Sequence, residues 1–147
     1  MKKTIILYLL FGLLSGAAAA EAAPASMPGF AIQGDEAVRV FWQKFKAAVT
    51  SGNKTEVASL SKFPIGMSYG VASIRNKSQF LRRYREVFNE QSNAAQCFAS
   101  KGPEMDAENP KRFTVACPDS AGNEVVIYQF ERTRTGWKFV SLDNLNE

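Results

Sequence analysis

One amphipathic stretch, residues 35–51, most constrains how this chain can fold. Its large apolar residues recur at helical spacing: Val38, Phe41, Trp42, Phe45 and Val49. This spacing places them on one face of an α-helix, and three of the five are aromatic. Such a face is stable only when it is buried against another apolar surface. The stretch therefore predicts a helix at the centre of a packed domain.

The start of the chain has the three parts of a secretory signal peptide. Lys2 and Lys3 come first, an apolar run from Ile5 to Leu14 follows, and small residues continue to Ala23. The apolar run is too short to span a bilayer comfortably. We therefore expect cleavage near Ala20 or Ala23, a periplasmic or secreted protein, and no stable membrane span after cleavage.

The remaining chain is long enough for one domain with a substantial core. We expect residues 1–23 to be the signal peptide, residues 24–34 a flexible lead-in and residues 35–147 a single domain. The full chain carries 18 basic and 14 acidic residues, a formal net charge of +4. This mildly basic balance is not typical of a nucleic-acid-binding surface, so no nucleic-acid partner is expected.

Helical patterns come first in this domain and strand patterns follow. Asn53 and Asn76 each stand three residues before a Glu or Gln, a capping-box pattern that predicts a second and a third helix. From Ala95 onward, β-branched and aromatic residues predict strands. The order predicts an α+β domain with about three helices packed on one face of a curved antiparallel sheet of about four strands.

The last two predicted strands have apolar residues on both faces. In residues 124–132, Val126, Tyr128 and Phe130 alternate with Val125 and Ile127, which predicts a central strand. In residues 137–142, the alternation places Trp137 and Phe139 on one face, and Val140 and Leu142 on the other.

The two cysteines, Cys97 and Cys117, form an even pair, which in an exported chain predicts a disulfide. We interpret the segments around both as strands that pair antiparallel, with Ala99 facing Val115 and residues 102–112 as the connecting loop. The alternative, a pair of redox thiols, is disfavoured because the cysteines do not form a Cys-x-x-Cys motif.

Four segments together resemble a known superfamily. They are FWQKFKAAVTSGN, VASLSKFPI, NKSQFLRRYREVF and the closing GWKFVSL, within residues 35–142. The sequence resembles the nuclear-transport-factor-2-like, or cystatin-like cone, superfamily, and in particular its small exported bacterial members of no known activity. The resemblance implies a curved sheet wrapped around a long helix, often with an internal pocket. The cysteine pair is not general to that superfamily.

The chemical inventory argues against the commonest catalytic sites. The chain contains no histidine, so it lacks the usual general base and the commonest metal ligand. No Gly-rich phosphate loop or EF-hand pattern is present, and we expect no metal and no cofactor. Acidic residues fall at element ends, in loops or on polar faces, so we expect no acid–base catalysis near neutral pH and assign no catalytic residue.

Four aromatic residues are candidates for lining a pocket: Trp42, Tyr69, Tyr84 and Tyr128. The alternative is that they are ordinary core residues whose polar tips reach a partner. The leading hypothesis is an exported, non-catalytic binding protein for a small apolar ligand or a protein partner. Two alternatives remain open: a small cone-fold lyase or isomerase, and an immunity-type or inhibitor protein acting through a surface patch.

Overall fold

The structure, a computed structural model, describes residues 36–144. The expected signal peptide (1–23) and lead-in (24–34) lie outside these residues. The described part contains four α-helices and one π-helical segment, Glu86–Glu90, which continues the third helix. The α-helices are α1 (Glu36–Thr50), α2 (Lys54–Ser59), α3 (Lys77–Arg85) and α4 (Ala94–Ser100). None of the described helices is long and apolar enough to cross a membrane.

The strands of residues 36–144 form one six-stranded sheet in the order β2-β1-β6-β5-β4-β3. They are β1 (Ser61–Met67), β2 (Ser73–Ile74), β3 (Glu104–Met105), β4 (Arg112–Pro118), β5 (Val125–Thr133) and β6 (Gly136–Asn144). The predicted α+β class is confirmed. The predicted counts of three helices and four strands are wrong, and so is the purely antiparallel sheet, because β1 pairs with β6 in parallel.

Helix α1 lies against the sheet through the face that its sequence predicts. Val38 and Phe45 are fully buried, and Phe41 and Trp42 are less than a tenth exposed. The Phe45 ring meets Phe130 of β5 edge to face, with centroids 4.9 Å apart. Edge-to-face contacts stabilise beyond the area they bury. The predicted role of α1 as the central helix is confirmed.

Asparagine caps fix the starts of the next two helices, as predicted. The Asn53 side-chain oxygen accepts from the Glu56 backbone N–H at 3.1 Å. The Asn76 oxygen accepts from the Gln79 N–H at 3.0 Å, and the Gln79 side chain in turn accepts from the Arg75 N–H at 2.8 Å. Each cap satisfies a backbone donor that the first helical turn leaves without a partner.

The Cys97 segment is helical, so its predicted strand is wrong. The helix α4 begins after Asn93, whose side-chain oxygen accepts from the Gln96 N–H at 3.2 Å. The predicted Cys97–Cys117 disulfide is confirmed, with Cα atoms 5.8 Å apart, but it joins α4 to β4 instead of two strands. At this edge of the sheet, the strand that pairs antiparallel with β4 is the short strand β3.

Strand β5 is central, as predicted, but β6 contains an irregularity that the alternation does not show. Phe139 is opposite Phe130 and Ser141 is opposite Gln129, so Val140 is an extra residue on β6. A bulge of this kind changes which face the following residues point to. Leu142 is therefore fully buried with Phe139. The prediction that Leu142 lies on the other face was wrong.

Candidate functional site

Aromatic rings occupy the space between the helices and the sheet. Tyr128 lies at their centre, with its ring centroid 5.0 Å from Phe98 and 5.7 Å from Phe88. Phe88 is also 5.7 Å from Phe139 on β6. All four residues are 1% exposed or less. A ligand would therefore bind at the surface of this part of the protein, or would have to displace rings that already fill its interior.

Three of the four predicted pocket residues, the tyrosines, belong to one buried region. The Tyr128 hydroxyl donates to the Val87 carbonyl and shares a hydrogen bond with Ser92 Oγ, each at 2.8 Å. Burial raises the pKa of Tyr128, the hydrogen bond to Ser92 opposes this increase, and the nearby Tyr84 and Tyr69 add to it. The Tyr128 hydroxyl is therefore neutral at physiological pH and acts as a structural donor.

Tyr84 packs at the edge of this region. Its ring lies 4.9 Å from Phe88, and Lys54 Nζ lies 5.5 Å from the ring centroid. Within the part of the chain that the structure describes, its buried hydroxyl has no hydrogen-bond partner. Burial raises the pKa of Tyr84 to about 12. Tyr69 is half-buried and packs against the core.

Trp42, the fourth predicted pocket residue, is separate from the tyrosines. Its ring contacts Phe98 of α4 at 4.9 Å and Phe130 of β5 at 6.0 Å. It lines a groove of about 460 Å³ between α1 and the segment formed by α4 and the residues after it. We call this the α1–α4 groove. Its lining residues are Arg39, Trp42, Gln43, Lys46, Ala47, Thr50 and residues 99–103.

The α1–α4 groove combines an apolar surface with basic charges. Trp42, Ala47 and Pro103 contribute apolar area, and the charged residues of the lining, Arg39, Lys46 and Lys101, are all basic. Lys46 Nζ donates to the Ala99 carbonyl at 3.4 Å, so its ammonium group lies at the α4 side. Apart from Trp42, the sequence analysis missed these residues, because it treated the Cys97 segment as a strand.

The described carboxylates lie outside the core. Between residues 36 and 144, the buried polar or charged residues are Ser61 and Ser92. The pKa of Asp119 is lowered because its carboxylate accepts backbone hydrogen bonds, foremost from Glu124. No cluster of His, Cys, Asp or Glu in this part of the chain could hold a metal ion. The Tyr128 hydroxyl is thus a hydrogen-bond donor, with no buried carboxylate among the described residues to act as a base.

Comparison with known proteins gives structural neighbours alone. No family model and no curated protein matches the chain. A hexachlorocyclohexane dehydrochlorinase, LinA-type3 from Novosphingobium barchaimii, is 13% identical at a TM-score of 0.42, over 74% of this chain and 82% of that one. An NTF2-like protein with a cystatin-like fold from Novosphingobium aromaticivorans is 15% identical at a TM-score of 0.42, over 74% of this chain and 79% of that one.

A third neighbour is a domain of unknown function with a cystatin-like fold from Nostoc punctiforme. It is 15% identical at a TM-score of 0.42, over 76% of this chain and 75% of that one. Identities this low concern the fold alone, and no activity is carried over from these proteins. Two of these three neighbours are described in the terms of the superfamily that the sequence resembles, one as NTF2-like with a cystatin-like fold and one as having a cystatin-like fold.

Proposed function

We propose that this chain is an exported, non-catalytic binding protein whose ligand lies in the α1–α4 groove. The ligand would be a small molecule with an apolar body and an acidic group. The observation that carries the proposal is the lining of the groove, which places apolar surface around Trp42 and Ala47 beside the basic residues Lys46 and Lys101. Export is supported by the sequence of residues 1–23.

The size of the groove suits a small ligand. Binding sites for small molecules usually have volumes of roughly 300–1,000 Å³ and are mainly apolar, with a few polar groups that fix orientation. The α1–α4 groove, at about 460 Å³, is within this range. The aromatic packing around Tyr128 leaves the interior less suitable, because a ligand there would have to separate rings about 5 Å apart.

The charges of the groove favour an acidic group on the ligand. Arg39 already pairs with Glu36 at the start of α1. Lys46 donates to a main-chain carbonyl, which is uncharged, so its positive charge is not neutralised by that contact. Lys101, directly after α4, is exposed and lines the α4 side of the groove. An anionic head between Lys46 and Lys101 would receive charge-assisted hydrogen bonds from both.

Calorimetric titration with decanoate and with decanol tests this proposal, because the two share a chain and differ in charge. We expect decanoate to bind more tightly than decanol. Ala47→Trp should fill the groove and lower the affinity for both ligands by about ten-fold or more. Lys46→Gln combined with Lys101→Gln should lower the affinity for decanoate and leave the affinity for decanol nearly unchanged.

Ala121→Trp is the matched control, because Ala121 is exposed in the turn before β5 and is not a lining residue of the groove. It should bind both ligands as the unaltered protein does. The proposal fails if neither ligand binds, or if Ala47→Trp and Ala121→Trp give the same affinities.

A further inference from the structure

The β5–β6 hairpin forms a second groove, of about 590 Å³, with the start of β1. We call it the hairpin groove. Its charged lining residues are Lys62, Arg132, Arg134, Lys138 and Glu131, four basic residues and one acidic residue. It shares no residue with the α1–α4 groove, so what it binds is independent of the function proposed above.

The one carboxylate of the hairpin groove already has a basic partner outside it. Glu131 lies opposite Arg112 on β4, and their side chains form an ion pair at 3.1 Å. Lys138, opposite Glu131 on β6, donates from Nζ to the Ser59 carbonyl at 2.7 Å. Since a carbonyl carries no net charge, this contact positions the ammonium group without neutralising it. Positive charge therefore predominates in the groove.

The backbone that carries these charges is well fixed. The Thr133 hydroxyl donates to the Gly136 carbonyl at 2.7 Å and accepts from the Thr135 N–H at 3.2 Å, which closes the hairpin turn. The Arg132 N–H donates to the Lys111 carbonyl at 2.8 Å. Charges on a rigid framework lose less conformational entropy on binding than charges on a flexible loop.

Strand β1 shapes the other side of the hairpin groove. Ser61 is opposite Phe139 and Gly66 is opposite Ser141, so the four residues of β1 from Lys62 to Ile65 face the single residue Val140. This irregularity separates β1 from the regular ladder at Lys62. The basic residues thus line a concave channel between two strands instead of a flat face.

We propose that the hairpin groove binds an acidic segment of another protein. A channel lined by several cations complements a run of Asp and Glu side chains, and such complementarity provides specificity and fast association. A lipid surface is the less suitable partner. Stable binding to lipid usually adds apolar side chains that enter the bilayer, and the exposed large apolar residue among the described residues is Val40, on α1.

Fluorescence anisotropy with a dye-labelled poly-glutamate peptide tests the proposal, with a poly-glutamine peptide of equal length for comparison. We expect the protein to bind the poly-glutamate peptide and not the poly-glutamine peptide. The affinity for poly-glutamate should decrease as salt is added. Charge reversal by Lys62→Glu together with Arg134→Glu should weaken binding by about ten-fold or more. Both side chains are exposed, so the variant should remain folded, which its circular dichroism checks.

The control variant carries Arg82→Glu and Arg85→Glu on α3, where both side chains are exposed and the net charge changes equally. Its affinity for the poly-glutamate peptide should fall by about three-fold or less, because it loses only long-range attraction. Equal losses in the two variants would overturn the proposal, since binding would then depend on net charge alone. Binding to phosphatidylglycerol vesicles without binding to the peptide would also overturn it, and would identify a lipid surface as the partner.

Discussion

The Tyr128 hydroxyl on β5 donates a hydrogen bond of 2.8 Å to the main-chain carbonyl of Val87. Val87 belongs to the π-helical segment, where the helical hydrogen-bond pattern is altered. Ser92, fully buried just after this segment, bonds to the same hydroxyl. One tyrosine side chain thus connects the centre of the sheet to the point where the third helix ends.

We expect Tyr128→Phe to lower the free energy of unfolding by about 1–3 kcal/mol, because it leaves the buried Val87 carbonyl and Ser92 hydroxyl without this partner. Urea unfolding would measure the change. Tyr84→Phe is the matched control, since its buried hydroxyl has no hydrogen-bond partner within the described residues. This control should be neutral or stabilising. A larger loss in Tyr84→Phe than in Tyr128→Phe would show that the roles of the two hydroxyls are reversed.

Stability should fall in alkaline solution, in part through these tyrosines. Burial raises the pKa of Tyr84 from 10.0 to about 12. The folded state therefore holds the phenol proton more tightly than the unfolded state. This contribution is fully present below pH 10 and is lost as the pH rises toward 12.

Unfolding at a series of pH values, for the unaltered protein and Tyr84→Phe, isolates the part due to Tyr84. Between pH 10 and 12, the stability of the variant should decline less steeply. Identical slopes would mean that the Tyr84 hydroxyl titrates normally in the folded protein.

The bond between Cys97 and Cys117 should contribute substantially to stability. It joins residues 20 apart in sequence, for which the chain-entropy model gives about 3 kcal/mol. Replacing both cysteines with serine should lower the free energy of unfolding by about 2–4 kcal/mol. Alkylation of the native protein followed by mass spectrometry should find no free thiol, and two labelled thiols would exclude the bond.

Phe45 should be among the most sensitive positions of α1. Its fully buried ring lies within 6.5 Å of six other rings, so Phe45→Ala should cost about 3–5 kcal/mol. Val40→Ala is the control on the same helix, since Val40 is 53% exposed. It should change stability by about 0.5 kcal/mol or less. Comparable losses at both positions in thermal or urea unfolding would contradict the assignment of the buried face.

Export is tested at the amino terminus of the mature protein. Sequencing of protein from an envelope fraction should begin at Glu21 or Pro24, because the small residues before each suit cleavage. Recovery of exported protein that still begins at Met1 would contradict this expectation.

Local patterns in the sequence were enough to locate α1, the caps at Asn53 and Asn76, and the central strand β5. Each depends on the spacing of neighbouring residues, which sequence shows directly. The pattern Asn93-x-x-Gln96 has the same form as the other two caps and could have identified α4. The nearby cysteine and phenylalanine led us to favour a strand there instead.

The missed features depend on residues that are distant in sequence. The extra residue at Val140 is visible only once β6 is paired with β5, and the parallel pairing of β1 only once β6 is in place. For the same reason, the sequence did not show that the predicted pocket residues lie in two different places. Tyr69, Tyr84 and Tyr128 share one region, whereas Trp42 lines a groove completed by α4, about 50 residues later in the chain.

Both edges of the sheet end in strands of two residues, β2 and β3. Beyond β3, α4 packs beside β4, where the disulfide joins Cys97 to Cys117. Beyond β2, β1 contains Pro64, which has no N–H to offer to another strand. A second chain would therefore find little free backbone to extend this sheet, so edge-to-edge aggregation should be slow as long as the disulfide keeps α4 in place.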